Sequence, residues 1–211
     1  MLTLLRIKYF QFIEHWQQNG FLAACKFSLY KCEEAVPVVR NLATLRPAKP
    51  PNGTLPVLLD LGPDNFASYD LHYPLRSRRE RVERCFRLGY RSFAMVRDGM
   101  VIGDLWYVAH STAHTPQLHP HLQWFGIDLG EQEVYMFDMH VDQKERGNSL
   151  TTWFLTSVLF ALRNNGYDKA YGYFAAQNVP ALWVHRLIGY EEKSHFVVQR
   201  FFLYETAHTK E

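Results

Sequence analysis

Apolar residues recur at three- and four-residue steps at the start of the chain: Leu2, Leu5, Tyr9, Phe12, Ile13 and Trp16. That spacing predicts a helix with one apolar stripe. Asn19-Gly20 is a natural stop, so the first thirty residues divide into two helices there. With Arg6 and Lys8 close by, the stripe suits a helix on the protein's own core or one lying at a membrane surface. Glu14, Gln17 and Gln18 dilute the basic face and favour packing. Residues 35–42 (AVPVVRNL) then read as a strand, with Pro37 placing it at a sheet edge. Residues 46–56 hold four prolines and a glycine and read as a connector. Residues 76–88 carry Val82, Cys85, Phe86 and Leu88 among charges, a surface helix closed by Gly89.

The second half reads more sharply. Residues 92–96 and 100–108 are strands about an Asp98-Gly99 turn, a strong hairpin signal. A long Pro- and His-containing connection covers 110–129, followed by a strand at 133–141 and an apolar helix at 147–164. Asn165-Gly166 stops that helix. A strand at 169–174, a short helix at 180–187, and one long strand or a pair over 194–204 complete the chain. Strands and helices mixed in this order predict an α/β (mixed α+β) sandwich about one sheet. We divide the chain into an N-terminal amphipathic helical segment, residues 1–34, and one domain, residues 35–211.

Composition narrows the class. Of 211 residues, 47% are hydrophobic, enough for a substantial core, which excludes disorder over most of the length. The 23 basic and 21 acidic residues nearly cancel, and a net charge of +2 gives no basic stripe for a nucleic acid. Three scattered cysteines, Cys25, Cys32 and Cys85, make no disulfide scaffold and suit a reducing compartment. No apolar run reaches the ~20 residues of a bilayer span, and no cleavage site follows a short apolar run. The expectation is a cytoplasmic protein, at most peripheral to a membrane through residues 1–30. A homodimer stays open.

The chemistry concentrates between Val134 and Tyr190. The strand VYMFDMHV enters a polar loop, Asp142 to Ser149, which opens into the apolar helix. A Gly-containing loop at a helix N-terminus exposes N–H groups beside the positive end of the dipole, a ready phosphate site, with Lys144 and Arg146 adding charge. Lys144-Glu145-Arg146-Gly147-Asn148-Ser149 stands where a known loop pattern, Arg/Gln-x-x-Gly-x-Gly/Ala, would stand. Asn178-Val179-Pro180-Ala181, a helix and then Gly189-Tyr190 match a second pattern, Asn-x-x-Ala followed by Gly-Phe. With both signatures in this element order the sequence resembles the GNAT superfamily of N-acetyltransferases. The resemblance covers residues 90–205 well and 35–90 loosely; the first thirty lie outside it. Lys144 and Ser149 depart from the pattern, Ser149 being small enough for a pyrophosphate to approach.

The resemblance implies a splayed mixed sheet flanked by helices, with acetyl-CoA or another acyl-CoA as acyl-donor cosubstrate and no metal. Pantetheine would pair with the backbone of Met139 and Val141, and pyrophosphate would rest on the amides from Lys144 to Ser149, with Asn178 nearby. It implies an acyl-CoA-dependent N-acyltransferase acting by direct transfer to an amine, a small molecule or amino sugar. A non-catalytic acyl-CoA-binding regulatory module and a protein- or peptide-modifying acyl- or aminoacyl-transferase are the alternatives. His185 falls where relatives carry the Tyr that protonates the thiolate, and a His can do that work near neutrality. Asp138 is the candidate base, with Glu133 and His140 behind it. Strand alternation puts Asp138 on a face with Met136 and His140, opposite Phe137, Met139 and Val141. His110, His114, His119 and His121 invite a metal reading, but Pro116 and Pro120 argue against one helix there and no cysteine joins them. This connection, with Trp124 and Phe125, is expected to wall the acceptor pocket.

Overall fold

In the computed structural model, which describes residues 2–110, 119–147 and 149–210, the strands join one nine-stranded mixed sheet. The elements run α1 (Leu2–Asn19), α2 (Phe21–Leu29), β1 (Tyr30–Asn41), β2 (Val57–Leu61), α3 (Arg76–Arg87), β3 (Arg91–Arg97) and β4 (Met100–Ala109). They continue with α4 (Pro120–Trp124), β5 (Glu133–Val141), α5 (Leu150–Asn164), β6 (Lys169–Ala175) and α6 (Val179–Ile188). The short β7 (Glu191–Glu192) and a hairpin of β8 (Phe196–Phe201) and β9 (Tyr204–Thr209) follow. The sheet order is β2-β3-β4-β5-β6-β1-β8-β9, with β7 on β1. β5, α5 and β6 form the parallel crossover, and α5 buries Phe154, Leu155, Val158 and Leu159 on one face of the sheet.

Two positions differ from the expectation for 35–42. The strand begins at Tyr30, and it is interior, lying between β6 and β8. Pro37 is tolerated because its carbonyl, which accepts from Lys193 N–H at 2.8 Å, faces the gap where β1 leaves β8 for β7. Its missing N–H points to the same gap, so no ladder bond to β6 is lost. β2, an edge strand paired only with β3, has no counterpart in the sequence reading; its VLLDL run lacks alternation and follows the proline-rich connector. The last strand segment is a hairpin turning at Phe202 and extending to Thr209.

The N-terminal helices pack through a different face from the predicted stripe. Ile7 is buried, whereas Leu2, Leu5, Tyr9 and Trp16 are exposed. Phe12 and Trp16 contact Phe21 of α2, with ring centroids 6.0 and 5.4 Å apart. Polar contacts seat α1 on α3. Arg6 pairs with Glu80 at 2.6 Å, and Glu14 accepts from Ser77 N–H at 2.9 Å and from Ser77 Oγ–H at 2.5 Å. Glu14 thereby satisfies an orphan donor in the first turn of α3 and places a carboxylate at the positive end of its dipole.

On the sheet, α3 holds Arg78 nearly out of solvent. Its guanidinium meets the Asp104 carboxylate at 2.6 Å, the Asp138 carboxylate at 2.9 Å and the Asp138 carbonyl at 3.0 Å. Asp138 has φ 54°, and the β4–β5 register shifts there, Asp104 facing His140 and Trp106 facing Phe137. This is a β-bulge, and it overturns the predicted alternation. Met136, Met139 and Val141 now lie toward the α5 core, while Phe137 joins Val82 and Cys85 in the α3 core. Arg78→Met should therefore strip the buried Asp104 of its counter-charge and cost about 3–5 kcal/mol, the usual penalty for breaking a buried pair. Urea unfolding at neutral pH measures it; a loss below about 1 kcal/mol would mean that the bulge stands without the ion cluster.

Candidate functional site

Parallel pairing of β5 with β6 covers only Glu133–Lys169, Val134–Ala170 and Tyr135–Tyr171. Beyond these the strands part. β5 stays paired to β4 as far as Val141, and β6 stays paired to β1 as far as Ala175, so each is held on its outer side alone. At the apex a Cβ on Gly172 would meet the Met136 carbonyl at 3.3 Å, so the close approach suits a residue without one. The gap opens as a cleft of about 710 Å³ lined by Met139, Val141, Phe174, Ala175, Asn178 and His185. Its inner strand edges carry backbone donors and acceptors that need partners.

One end of the cleft is the loop into α5, where Arg146, Gly147 and Thr151 reach it. The amides of Lys144 and Glu145 are already taken, by Asp142 Oδ1 at 2.9 Å and Asp142 O at 3.0 Å. Glu145 is tied through its side chain to Arg97 at 2.7 Å. The expected cradle from Lys144 to Ser149 therefore narrows: among the described residues, which do not include Asn148, the amides of Gly147, Ser149 and Thr151 have no backbone partner. Gly147 has φ 117° and Ser149 φ 64°, the left-handed region that favours glycine. This gives a physical reason for Gly at the position of Ser149; it gives none for Ala, which carries a Cβ as Ser does. Arg146 Nε donates to the Val141 carbonyl at 3.0 Å, so of the two expected pantetheine partners Val141 already has its oxygen engaged. Past Ser149 a groove of about 580 Å³ carries Arg40, Arg46 and Lys49.

At the other end, Asn178 caps α6 by accepting from Ala181 N–H at 3.3 Å, and one turn on stands His185. The imidazole lies between the rings of Phe174 and Tyr190, at 4.9 and 4.8 Å. Its Nδ1 is 2.7 Å from the Ala181 carbonyl. A carbonyl only accepts, so Nδ1 carries the proton and Nε2 the lone pair. Burial lowers the His185 pKa, which keeps the ring neutral at physiological pH. Asp138 is pinned by Arg78 and also pairs with Arg81. Burial pushes its pKa up, but Arg78 and Arg81 outweigh that and hold the carboxyl below its ordinary range. A carboxylate so held is a weak base. Glu133 is spent on Lys169 at 2.8 Å, at the closed end of the strand pair. His140 is half-buried, and burial lowers its pKa.

The described part of the histidine connection lies beside residues that also line the cleft. Trp124 and His121 share a small pocket with Lys31, Glu33 and Tyr173, and Phe125 packs on Tyr173 at 5.4 Å. His121 Nδ1 is 2.7 Å from the Tyr135 hydroxyl, and burial drives its pKa down to about 3. His114 lies outside the described residues; among those described, no three His, Cys, Asp or Glu side chains gather to hold a metal ion. Nor is any described helix long and apolar enough to cross a membrane. Sequence reasoning missed Arg78, Arg81, Lys31, Glu33 and Tyr173. For Arg78 a signal existed: it stands at i, i+4 and i+7 with Val82 and Cys85, a charge on the apolar stripe of α3.

No protein-family model matches the sequence, and no curated protein does. Solved structures do match in fold. A Drosophila protein superposes with TM-score 0.52 at 10% identity, covering 88% of this chain and 57% of its own. The GCN5-related glucosamine N-acetyltransferase region of a fungal multi-domain β-N-acetylglucosaminidase gives 0.52 at 16%, over 89% of this chain and 23% of that one. A tandem GNAT protein from the clavulanic acid biosynthesis pathway gives 0.50 at 17%, over 92% and 58%. The chain thus spans less than two thirds of each of these structures. Its neighbours include GNAT-family acetyltransferases, and the fold it shares with them is the mixed α/β fold of that family, with two N-terminal helices before the first strand.

Proposed function

We propose that this chain is an acyl-CoA-dependent N-acyltransferase that moves an acyl group directly from the thioester to a small amine. The observation that carries this reading is the parting of β5 and β6 over the loop into α5, which joins an anion cradle, a backbone-lined cleft and His185 in one continuous space. The pyrophosphate would rest on the Gly147, Ser149 and Thr151 amides at the N-terminus of α5. Arg40, Arg46 and Lys49 would face the remaining phosphate of the cofactor in the adjoining groove. Pantetheine amides would complete the inner edge of β5 at Met139. Holding thioester and amine together in this way removes part of the entropic barrier, up to ~7–11 kcal/mol in the best cases.

In the transfer the C–N bond forms, the C–S bond breaks, the amine loses a proton and sulfur gains one. Neutral His185, with Nδ1–H committed to Ala181, offers Nε2 as the acceptor for that proton and can then return it to the thiolate. This is a relay rather than the simple acid expected at that position. Asp138, ionised and spent on Arg78 and Arg81, would not deprotonate the acceptor, which would enter the transfer as the neutral amine.

Two outcomes follow. A Cβ at Gly147 would meet nothing within 4 Å, but φ 117° strains any side chain there, so Gly147→Ala serves as the backbone control against which Gly147→Glu sets its carboxylate at the anion cradle. CoA should raise the Tm of the wild type through linkage and leave folded Gly147→Glu unshifted; an unchanged shift would remove the loop from cofactor binding. His185→Phe keeps a ring between Phe174 and Tyr190, so CoA affinity should hold while kcat falls roughly 10²–10⁴-fold where chemistry limits the rate. Because burial lowers the His185 pKa, its neutral form persists on acidification, and the acid limb of wild-type kcat should lie below the ordinary value of 6.5. That limb should vanish in the variant. Near-wild-type turnover in rapid-mix CoA release eliminates His185 from the chemistry.

A further inference from the structure

On the other side of Asp138 and Tyr173 from the CoA cleft lies a second cavity, of about 490 Å³, closed by α1, α3, α4 and the β8–β9 hairpin. Its charges do not cancel. Lys8, Arg81, Arg84 and Arg200 line it against Asp138 and Glu205. Asp138 is already spent, since it and Asp104 balance Arg78 and Arg81. Glu205 stands 3.9 Å from Arg200. Lys8 and Arg84 are left with no ion-pair partner among the described residues. Lys8 is half-buried, and burial first, then the neighbouring Arg200, lower its pKa to about 8. Withdrawing an ammonium from water beside guanidinium groups is unfavourable unless an anion compensates it. At the opposite end the cavity meets the CoA cleft at Asp138, paired with Arg78 and Arg81, and at Tyr173, while Glu33 of the cleft is paired with Lys31. The uncompensated charge of the cavity therefore lies at its α1 end, on Lys8 and Arg84.

We infer that the acceptor is a bipolar small molecule, its amine presented beside Asp138 and Tyr173 and its far end a carboxylate or phosphate held by Lys8 and Arg84. The amine half rests on the transferase reading; the anion half rests on the cavity alone. A ligand of this kind restores the missing counter-charge and is oriented by it, with the amine directed at the thioester carbonyl.

Two arms test the halves separately. Inorganic phosphate, titrated against sodium chloride at matched ionic strength, should raise the Tm of the full chain, and the rise should shrink in Lys8→Met and in the more accessible Arg84→Gln. Phosphate held at the Gly147 loop responds equally in all three proteins, so only the difference counts. In a CoA-release assay, matched acceptors (an amino acid with its amide, an amino sugar with its phosphate ester) should differ at least tenfold in kcat/KM in favour of the anionic member. That ratio should collapse in both variants. The amino acid and sugar phosphate pairs tell carboxylate from phosphate. Equal turnover of charged and uncharged partners, or a phosphate response identical in all three proteins, overturns the inference and leaves the transferase reading standing. A Lys8-dependent phosphate response with no CoA release from any amine supports the anion site and overturns the transferase reading instead.

Discussion

A buried guanidinium sets the shape of the site. Arg78 holds three oxygens on two strands, and two of them belong to Asp138. A charge taken out of water must keep its partners or forfeit several kcal/mol, so those contacts fix the backbone that bears them. They fix it in a left-handed conformation that an Asp tolerates better than most residues, and the strand accommodates the extra residue as a bulge. A bulge bends its strand and sharpens the twist. β5 follows β4 past the bulge while β6 follows β1, and the two parallel strands separate. The cleft, the change of face at Met139 and the unpaired inner edges all descend from that one cluster.

The N-terminal helices belong to the same chain of causes. Arg78 can reach β4 and β5 only if α3 is anchored at its first turn, and the anchor is Glu14 of α1, which bonds both the amide and the hydroxyl of Ser77. The side chain at Leu75, just before α3, offers no cap of its own. β1, leading out of α2, then supplies the outer partner that keeps β6 away from β5. The connector after it brings Arg46 and Lys49 beside the N-terminus of α5. Segments that the family resemblance covers loosely or leaves out thus hold both walls of the cleft.

What the sequence discloses and what it hides divide along local and non-local physics. The Asp98-Gly99 hairpin, the helix after Gly147 and the short helix after Asn178 are decided by neighbours a few residues apart, and each is where the pattern puts it. Pro37 misleads because an edge is the usual home for a strand proline, whereas here a break between β7 and β8 serves the same purpose in the sheet interior. Alternation fails at Asp138 because its cause, a guanidinium 60 residues earlier, has no mark in the strand itself. The clue lay in α3, where Arg78 occupies an apolar position that only buried carboxylates could justify.

The electrostatics around the cleft constrain the route of the proton more tightly than any single residue does. Asp138 is held ionised by its arginines and has no proton to give. His185 is held neutral by burial, with its one N–H turned to Ala181. Burial also raises the Tyr173 pKa, so its hydroxyl keeps its proton. None of these three groups is a ready acid at neutral pH. On the proposed transferase reading, the proton that reaches the departing thiolate would then be the one the amine releases, with the free lone pair of His185 placed to carry it. On that reading nucleophile deprotonation and leaving-group protonation would be two halves of one transfer.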